Sequence, residues 1–351
     1  MHKWVLCGVM AMVGIGSSAQ AFAKVADHAV KVTADEAQQR VDVTIDGKPF
    51  TSYLWPSTLK KPVLFPLIAP DGVTVTRGYP LAPRNGERVD HPHHAGLWFN
   101  YGNVNGFDFW NNSDAIKPEN REKMGTIHQE KIVSAKSGRD RGELVVDSVW
   151  VTGKNEKIIN ETTRYVFSQR GDERAIDFVT TLHALNKVVF NDDKEGVLGI
   201  RVAHFLESAT EKGGIFADAS GRPTKVAAGD SAGATGIYLT SEGKKGDAVW
   251  STRGRWCELT GTTADGKTET IAILDNPKNA GYPTYWHARG YGLFAANPLG
   301  RKIFDPSQTA FNYTIDKGQS ATFRYRVILL SHAATAEEMN RAADRFAAEY
   351  K

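Results

Sequence analysis

The sequence predicts an all-β protein, one large antiparallel β-sandwich with a C-terminal helix, and three observations carry that reading. Apolar and polar residues alternate with period two through most of the chain, the pattern of half-buried strands. Turn residues punctuate the runs at Asp46-Gly47, Asp71-Gly72, Arg170-Gly171-Asp172, Asp265-Gly266 and Asp316-Lys317-Gly318. Only the last stretch, "TAEEMNRAADRFAAEY", reads clearly as a helix.

In chain order, residues 1–23 come first and read as a secretory signal peptide. Lys3 precedes a short apolar run, and Ser17 to Ala23 supply small residues for cleavage after Ala23 or Ala21. This places the expected mature protein in the periplasm or outside the cell. Residues 24–351 are expected to form a single sandwich domain. "RVDVTIDG" sets Val41, Val43 and Ile45 against Asp42, Thr44 and Asp46, a strand ending in a turn. The same pattern returns in "ELVVDSVWVTG", "TTRYVFSQRGD", "RAIDFVTTLHAL", "TETIAILDNP" and "ATFRYRVILLSH". Residues 208–248, rich in Gly, Ala, Ser and Lys, read as loops with short strands. Thr335 then caps the helix, and Met339, Ala342 and Phe346 form its apolar stripe.

Composition narrows the function. The chain of 351 residues carries 43 Lys+Arg and 40 Asp+Glu; losing Lys3 with the leader leaves 42 − 40 = +2. That near-neutral balance gives no electrostatic footprint for nucleic acid. No apolar run after residue 23 approaches the length of a membrane span. There is no P-loop, no dinucleotide fingerprint after a strand and no internal repeat. Cys257 alone survives cleavage, so no intrachain disulfide forms; in "GRWCELTG" it reads as a small buried hydrophobe.

Three aromatic-flanked segments concentrate the polar chemistry. "DHPHHAGLWFNYGNVNGFDFW" (residues 90–110) holds His91, His93, His94, Trp98 and Trp110. If His91-Pro92-His93 is extended, its two imidazoles share one face, although proline favours an edge, a strand start or a rim loop. "NDDKEGVLGIRVAHF" supplies Glu195, Arg201 and His204, which would project from one sheet if Glu195 heads a strand. "GYPTYWHARGYGLFAANPLG" supplies Tyr285, Trp286, His287, Arg289, Tyr291 and Asn297. A lone histidine in such a place most often caps or bonds a backbone carbonyl. Charged groups and imidazoles are costly to bury without partners, so their recurrence beside aromatics points to a cleft. His91 or His94, Glu195, His204 and His287 are expected to line it together.

On these same three blocks the chain resembles the exported bacterial PmoA-like family, also labelled "methane oxygenase PmoA". The resemblance runs through most of the mature chain, in the family's order; Ala95 and Gly290 depart from the usual pattern. Methane oxidation needs a copper or iron centre, and its membrane enzyme needs transmembrane helices; no apolar run after residue 23 approaches a spanning length, so the label fits poorly. The family is also similar to the large sandwich of galactose-mutarotase-like proteins, which implies a sugar or oligosaccharide ligand.

The leading expectation is therefore proton-transfer chemistry on a sugar or keto-sugar by an epimerase, lyase or hydrolase. His94 or His204 would be the acid and Glu195 or His287 the base. His91, His93, Arg201, Arg289, Tyr285 and Asn297 would hold the substrate, and Trp98, Trp110 or Trp286 would stack on a pyranose. No cofactor is required by this reading. A second reading uses a divalent metal on His91 and His93 with a third ligand such as Glu195 or His287. A third is a sugar-binding module without catalysis. Nothing in the sequence sets the oligomeric state.

Overall fold

Every segment quoted above for its period-two alternation is a strand in the computed structural model, which describes residues 1–2, 28–209, 213–227 and 232–350. The apolar run and cleavage site of the expected leader lie outside the described residues. Val41, Val43 and Ile45 are buried while Arg40, Asp42 and Thr44 are half-buried, as alternation requires.

The strands form two large sheets. The first has nine, in the order β18 (Tyr285–Arg289), β19 (Leu293–Asn297), β12 (Gly196–Arg201), β5 (Leu97–Tyr101), β4 (Val63–Leu64), β3 (Lys48–Leu54), β2 (Arg40–Ile45), β1 (Ala29–Asp35) and β7 (Gly138–Arg139). The second has eight: β15 (Ile237–Thr240), β16 (Trp256–Thr262), β17 (Thr268–Asp275), β21 (Ser320–Leu330), β10 (Glu173–Ala184), β9 (Lys157–Arg170), β8 (Arg141–Thr152) and β6 (Gly125–Lys136). Two small ribbons pair β11 (Val188–Phe190) with β20 (Tyr313–Ile315), and β13 (Gly214–Ala217) with β14 (Pro223–Val226). All these pairings are antiparallel.

The main core lies between the large sheets, where Phe99 meets Phe178 and Phe323 with ring centroids 5.8 and 5.7 Å apart. The helix α1 (Ala336–Glu349) covers the outer face of the second sheet, packing Met339, Ala342, Ala343 and Phe346 against Trp256, Ala272, Leu274 and Ile328. Thr335 caps it in a reciprocal box with Glu338, which satisfies two backbone donors at the helix start. Cys257 is buried in the main core, and burial pushes its thiol pKa well up, as a structural cysteine requires. The outer face of the first sheet carries a separate aromatic cluster with Trp98, Trp110 and Tyr291.

Candidate functional site

Strand register assembles the site on that outer face. His287 pairs with Ala295, Ala295 with Gly199, and Gly199 with Trp98, so one row crosses β18, β19, β12 and β5. The adjacent row runs Arg289, Leu293, Arg201. Ala288, Phe294 and Ile200, between the rows, point into the main core, so both rows face outward. Gly199 leaves room at the centre: a Cβ there would lie 2.6 Å from the Trp98 ring and 2.9 Å from the Trp110 ring.

The histidine block folds onto this face as a turn. His91 has a φ of 44°, and the His94 amide donates to the His91 carbonyl at 2.9 Å. The extended reading of His91-Pro92-His93 is thus corrected: the positive φ at His91 breaks the strand, and the two rings meet edge to face at 5.6 Å. Tyr291, His91, His94 and Trp98 instead form a column of stacked rings, with successive centroids 5.3, 5.0 and 5.3 Å apart.

Two buried guanidiniums hold the turn. Arg77 and Arg201 reach the same Asp90 carboxylate oxygen at 2.8 and 2.6 Å, and Arg77 also donates to the His91 and His94 carbonyls. Burial pushes the Asp90 pKa up, but the His91 hydrogen bond and the two arginines outweigh it and hold the carboxyl well below its usual range. His94 is boxed in: Trp110 Nε1–H donates to its Nε2 at 3.1 Å, and Arg201 Nη1 faces its Nδ1 at 3.3 Å. Burial and the neighbouring His93 and Arg201 charges push its pKa well down, so it stays neutral. An acid role for His94 conflicts with this setting, because the second proton it would need belongs on Nε2, which already accepts from the Trp110 N–H.

The second half of the site is a carboxylate–imidazole pair. Glu195 Oε2 lies 3.7 Å from His287 Nδ1, and the same nitrogen donates to the Lys194 carbonyl at 2.9 Å. That bond fixes the neutral tautomer and leaves Nε2 as a lone-pair acceptor, with no hydrogen bond to the described residues. Burial, with Lys194 and Arg289 nearby, pushes the His287 pKa down to about 3. Burial raises that of Glu195, against the opposing pull of Lys194, whose ammonium touches its Oε1. Asn297 positions the pair from below. Its amide donates to the Asp193 and Lys194 carbonyls at 2.8 and 3.0 Å, while its carbonyl oxygen accepts from the Leu299 and Gly300 amides.

Aromatic contacts join the halves. Arg201 lies over Tyr291 at 4.9 Å, Arg289 over Trp250 at 4.2 Å, and Trp250 meets His287 edge to face at 4.8 Å. The exposed rim is His91 and Lys194, whose side chains are 42% and 46% accessible. Arg77, Asp90 and Trp250 were not among the expected site residues. Asp90 stood inside a quoted segment, whereas nothing in the sequence around Arg77 or Trp250 marks them.

Several expected members sit elsewhere or do other work. His204 lies on a short 3-10 turn, bonded to Glu207 Oε2 at 3.2 Å and to the Ala232 carbonyl, in a cluster with Arg88 and Phe216. It stands apart from the Glu195–His287 pair because the chain leaves β12 at Arg201. Trp286 cannot stack on a sugar, since period two turns it into the core opposite His287. Trp98 and Trp110 are also fully buried; the Trp98 ring carries His94 and the Lys61 ammonium instead. Tyr285 stacks on Phe304 at 5.3 Å. His93 keeps a buried Nε2 without a partner among the described residues. Among those residues, no three His, Cys, Asp or Glu side chains converge on a common metal position.

A sandwich of two antiparallel sheets, with a histidine–arginine–carboxylate cluster on the outer face of one, defines the class of protein. The chain belongs to the family of unknown function DUF6807, whose profile matches residues 40–344. No curated protein matches it in sequence. Among solved structures it is similar to a galactose mutarotase-like protein from Clostridium acetobutylicum, at 12% identity and a TM-score of 0.39, over 87% of this chain and 99% of that one. It is also similar to the Slr1438 protein from Synechocystis sp. PCC 6803, at 10% identity and 0.30, over 92% and 100%. A third is the 4-alpha-glucanotransferase from Thermococcus litoralis, at 11% and 0.27, over 89% of this chain and 40% of that one.

Proposed function

We propose that the protein is an exported carbohydrate-active enzyme that moves protons on a sugar or keto-sugar, with His287 and Glu195 as its base and acid. The observation that carries this reading is their juxtaposition at 3.7 Å beside the exposed rim. A neutral imidazole with Nδ1–H anchored on a carbonyl keeps an unprotonated Nε2 lone pair at any pH above about 3. Glu195, its pKa raised by burial, is the group that gives one back. One proton leaves the substrate and one returns, so the step balances without an external reductant or oxidant. Arg289 stands beside the pair to stabilise a developing oxyanion or enolate.

The spacing favours one subset of reactions. Inverting hydrolysis places its two groups on opposite faces of a sugar, about 6.5–9.5 Å apart. The Glu195 carboxylate and the His287 ring lie side by side, an arrangement that epimerisation or elimination from one side allows. The test is a panel of aldoses, keto-glycosides and glycosides, run with and without chelator on wild type, Glu195→Ala and His287→Ala. Each variant is expected to lose turnover by about two to four decades, while sugar binding suffers far less. Full turnover in both variants overturns the assignment. Binding without conversion anywhere in the panel replaces it with a lectin-like role.

A further inference from the structure

A cleft of about 470 Å³ opens between the end of β3 and the edge strand β6, and the Glu195–His287 pair is not part of its lining. Trp55, Lys60, Lys61, Asn112, Arg121 and Gln129 contribute to its wall. Its composition is not that of an ordinary surface groove. Three cations, Lys60, Lys61 and Arg121, face one acid, Asp114, and that acid is bound to Lys60 at 2.5 Å.

Two of its polar groups are built rather than incidental. Lys61 is only 4% exposed, yet one hydrogen bond, from Nζ to the His93 carbonyl at 2.6 Å, is its sole direct polar contact among the described residues. Gln129 has its carbonyl oxygen engaged by Tyr53 and Ser148, while its Nε2 is buried with no partner among the described residues. A buried amide donor and a buried ammonium with unused donors are each costly, and a ligand supplying acceptors offsets both costs. Trp55, half-buried, is tilted against Tyr53 at 5.4 Å and adds an aromatic surface to the wall.

We propose that this cleft binds a uronate sugar: its carboxylate against Lys61 and Arg121, a ring hydroxyl accepting from Gln129 Nε2, and its C–H face on Trp55. A bare inorganic anion would leave Trp55 and the Gln129 amide unused, and a neutral sugar would leave the excess cations unmatched. Burial pushes the Lys61 pKa down to about 7, with Asp108 pulling the other way, so an arriving carboxylate also restores a charge the cleft holds weakly. The assignment does not depend on turnover at Glu195.

Calorimetry on the full chain tests it, using oligogalacturonate, oligoglucuronate and the methyl ester of each. One acid oligomer is expected to bind, its ester at least about tenfold more weakly, with affinity falling as salt rises. Trp55→Ala and Arg121→Gln, neither at a fully buried position, should each weaken binding about tenfold, and Lys61→Met should abolish it. Equal affinity for acid and ester overturns the proposal. So does the absence of binding by either acid, or unchanged affinity in both Trp55→Ala and Arg121→Gln.

Discussion

Asp90 is one carboxylate shared by two guanidiniums, Arg77 and Arg201, whose side chains are wholly inaccessible to solvent. Removing it would strand both charges in the interior, and breaking a buried ion pair this way costs about 3–5 kcal/mol. Asp90→Ala is therefore expected to lower unfolding free energy by that amount in urea titrations. Asp90→Asn, which keeps one acceptor, should lose less. The partners of Asp90 were not legible in the sequence, because Arg77 and Arg201 join it over 13 and 111 residues and neither has a local signature. The block around it was legible, since few chains crowd His91, His93 and His94 between acid and aromatics. Exposure within the block was not. Trp98 and a solvent-facing tryptophan look alike until the turn at His91 decides what covers them.

Among the elements, the period-two strands and the capped helix were read correctly because each is a local property of side-chain order. Register is not local. The row from His287 through Ala295 and Gly199 to Trp98 exists only because four strands, β5, β12 and the neighbouring β18 and β19, pair without a slip. Gly199 is where that row is most sensitive. Gly199→Ala would press a methyl into the Trp98 and Trp110 rings, and overpacking of this kind costs about 1–3 kcal/mol. The expected signature is a drop in urea midpoint together with a shift in tryptophan fluorescence. An unchanged midpoint and spectrum would mean that the rings yield freely.

For the whole molecule, buried acids and buried histidines pull the pH response in opposite directions. Burial, reinforced by Glu338, pushes Glu258 up to about 7; burial, reinforced by Asp71, does the same to Glu269. Each also has a carboxylate oxygen without a partner among the described residues. Unfolded glutamates release their protons near pH 4.3, whereas these two keep theirs to about 7 in the native state. The native state thus binds more protons across that window, and stability falls as pH rises through it. Asp90 acts oppositely and lower: its depressed pKa supports stability above about pH 3.9, lost only on further acidification. His287, held neutral down to about pH 3, acts the other way between about pH 3 and 6.5, so the acid is read by difference: the melting temperature of Glu258→Gln relative to wild type is expected to rise from pH 4 to 7. A difference between variant and wild type that stays flat from pH 4 to 7 would contradict this assignment.

The last strand, β21, sits in the interior of the eight-stranded sheet, hydrogen-bonded to β17 on one side and β10 on the other. Every other strand of that sheet leaves the ribosome before it. Until residues 320–330 emerge, the growing chain carries two part-sheets with a gap between them, each presenting a bare row of amides and carbonyls. Synthesis order therefore makes closure of this sheet wait for its final strand. A chain cut short just ahead of Ser320 would be more than a slightly smaller protein: it would expose two open strand edges ready to pair with a neighbour.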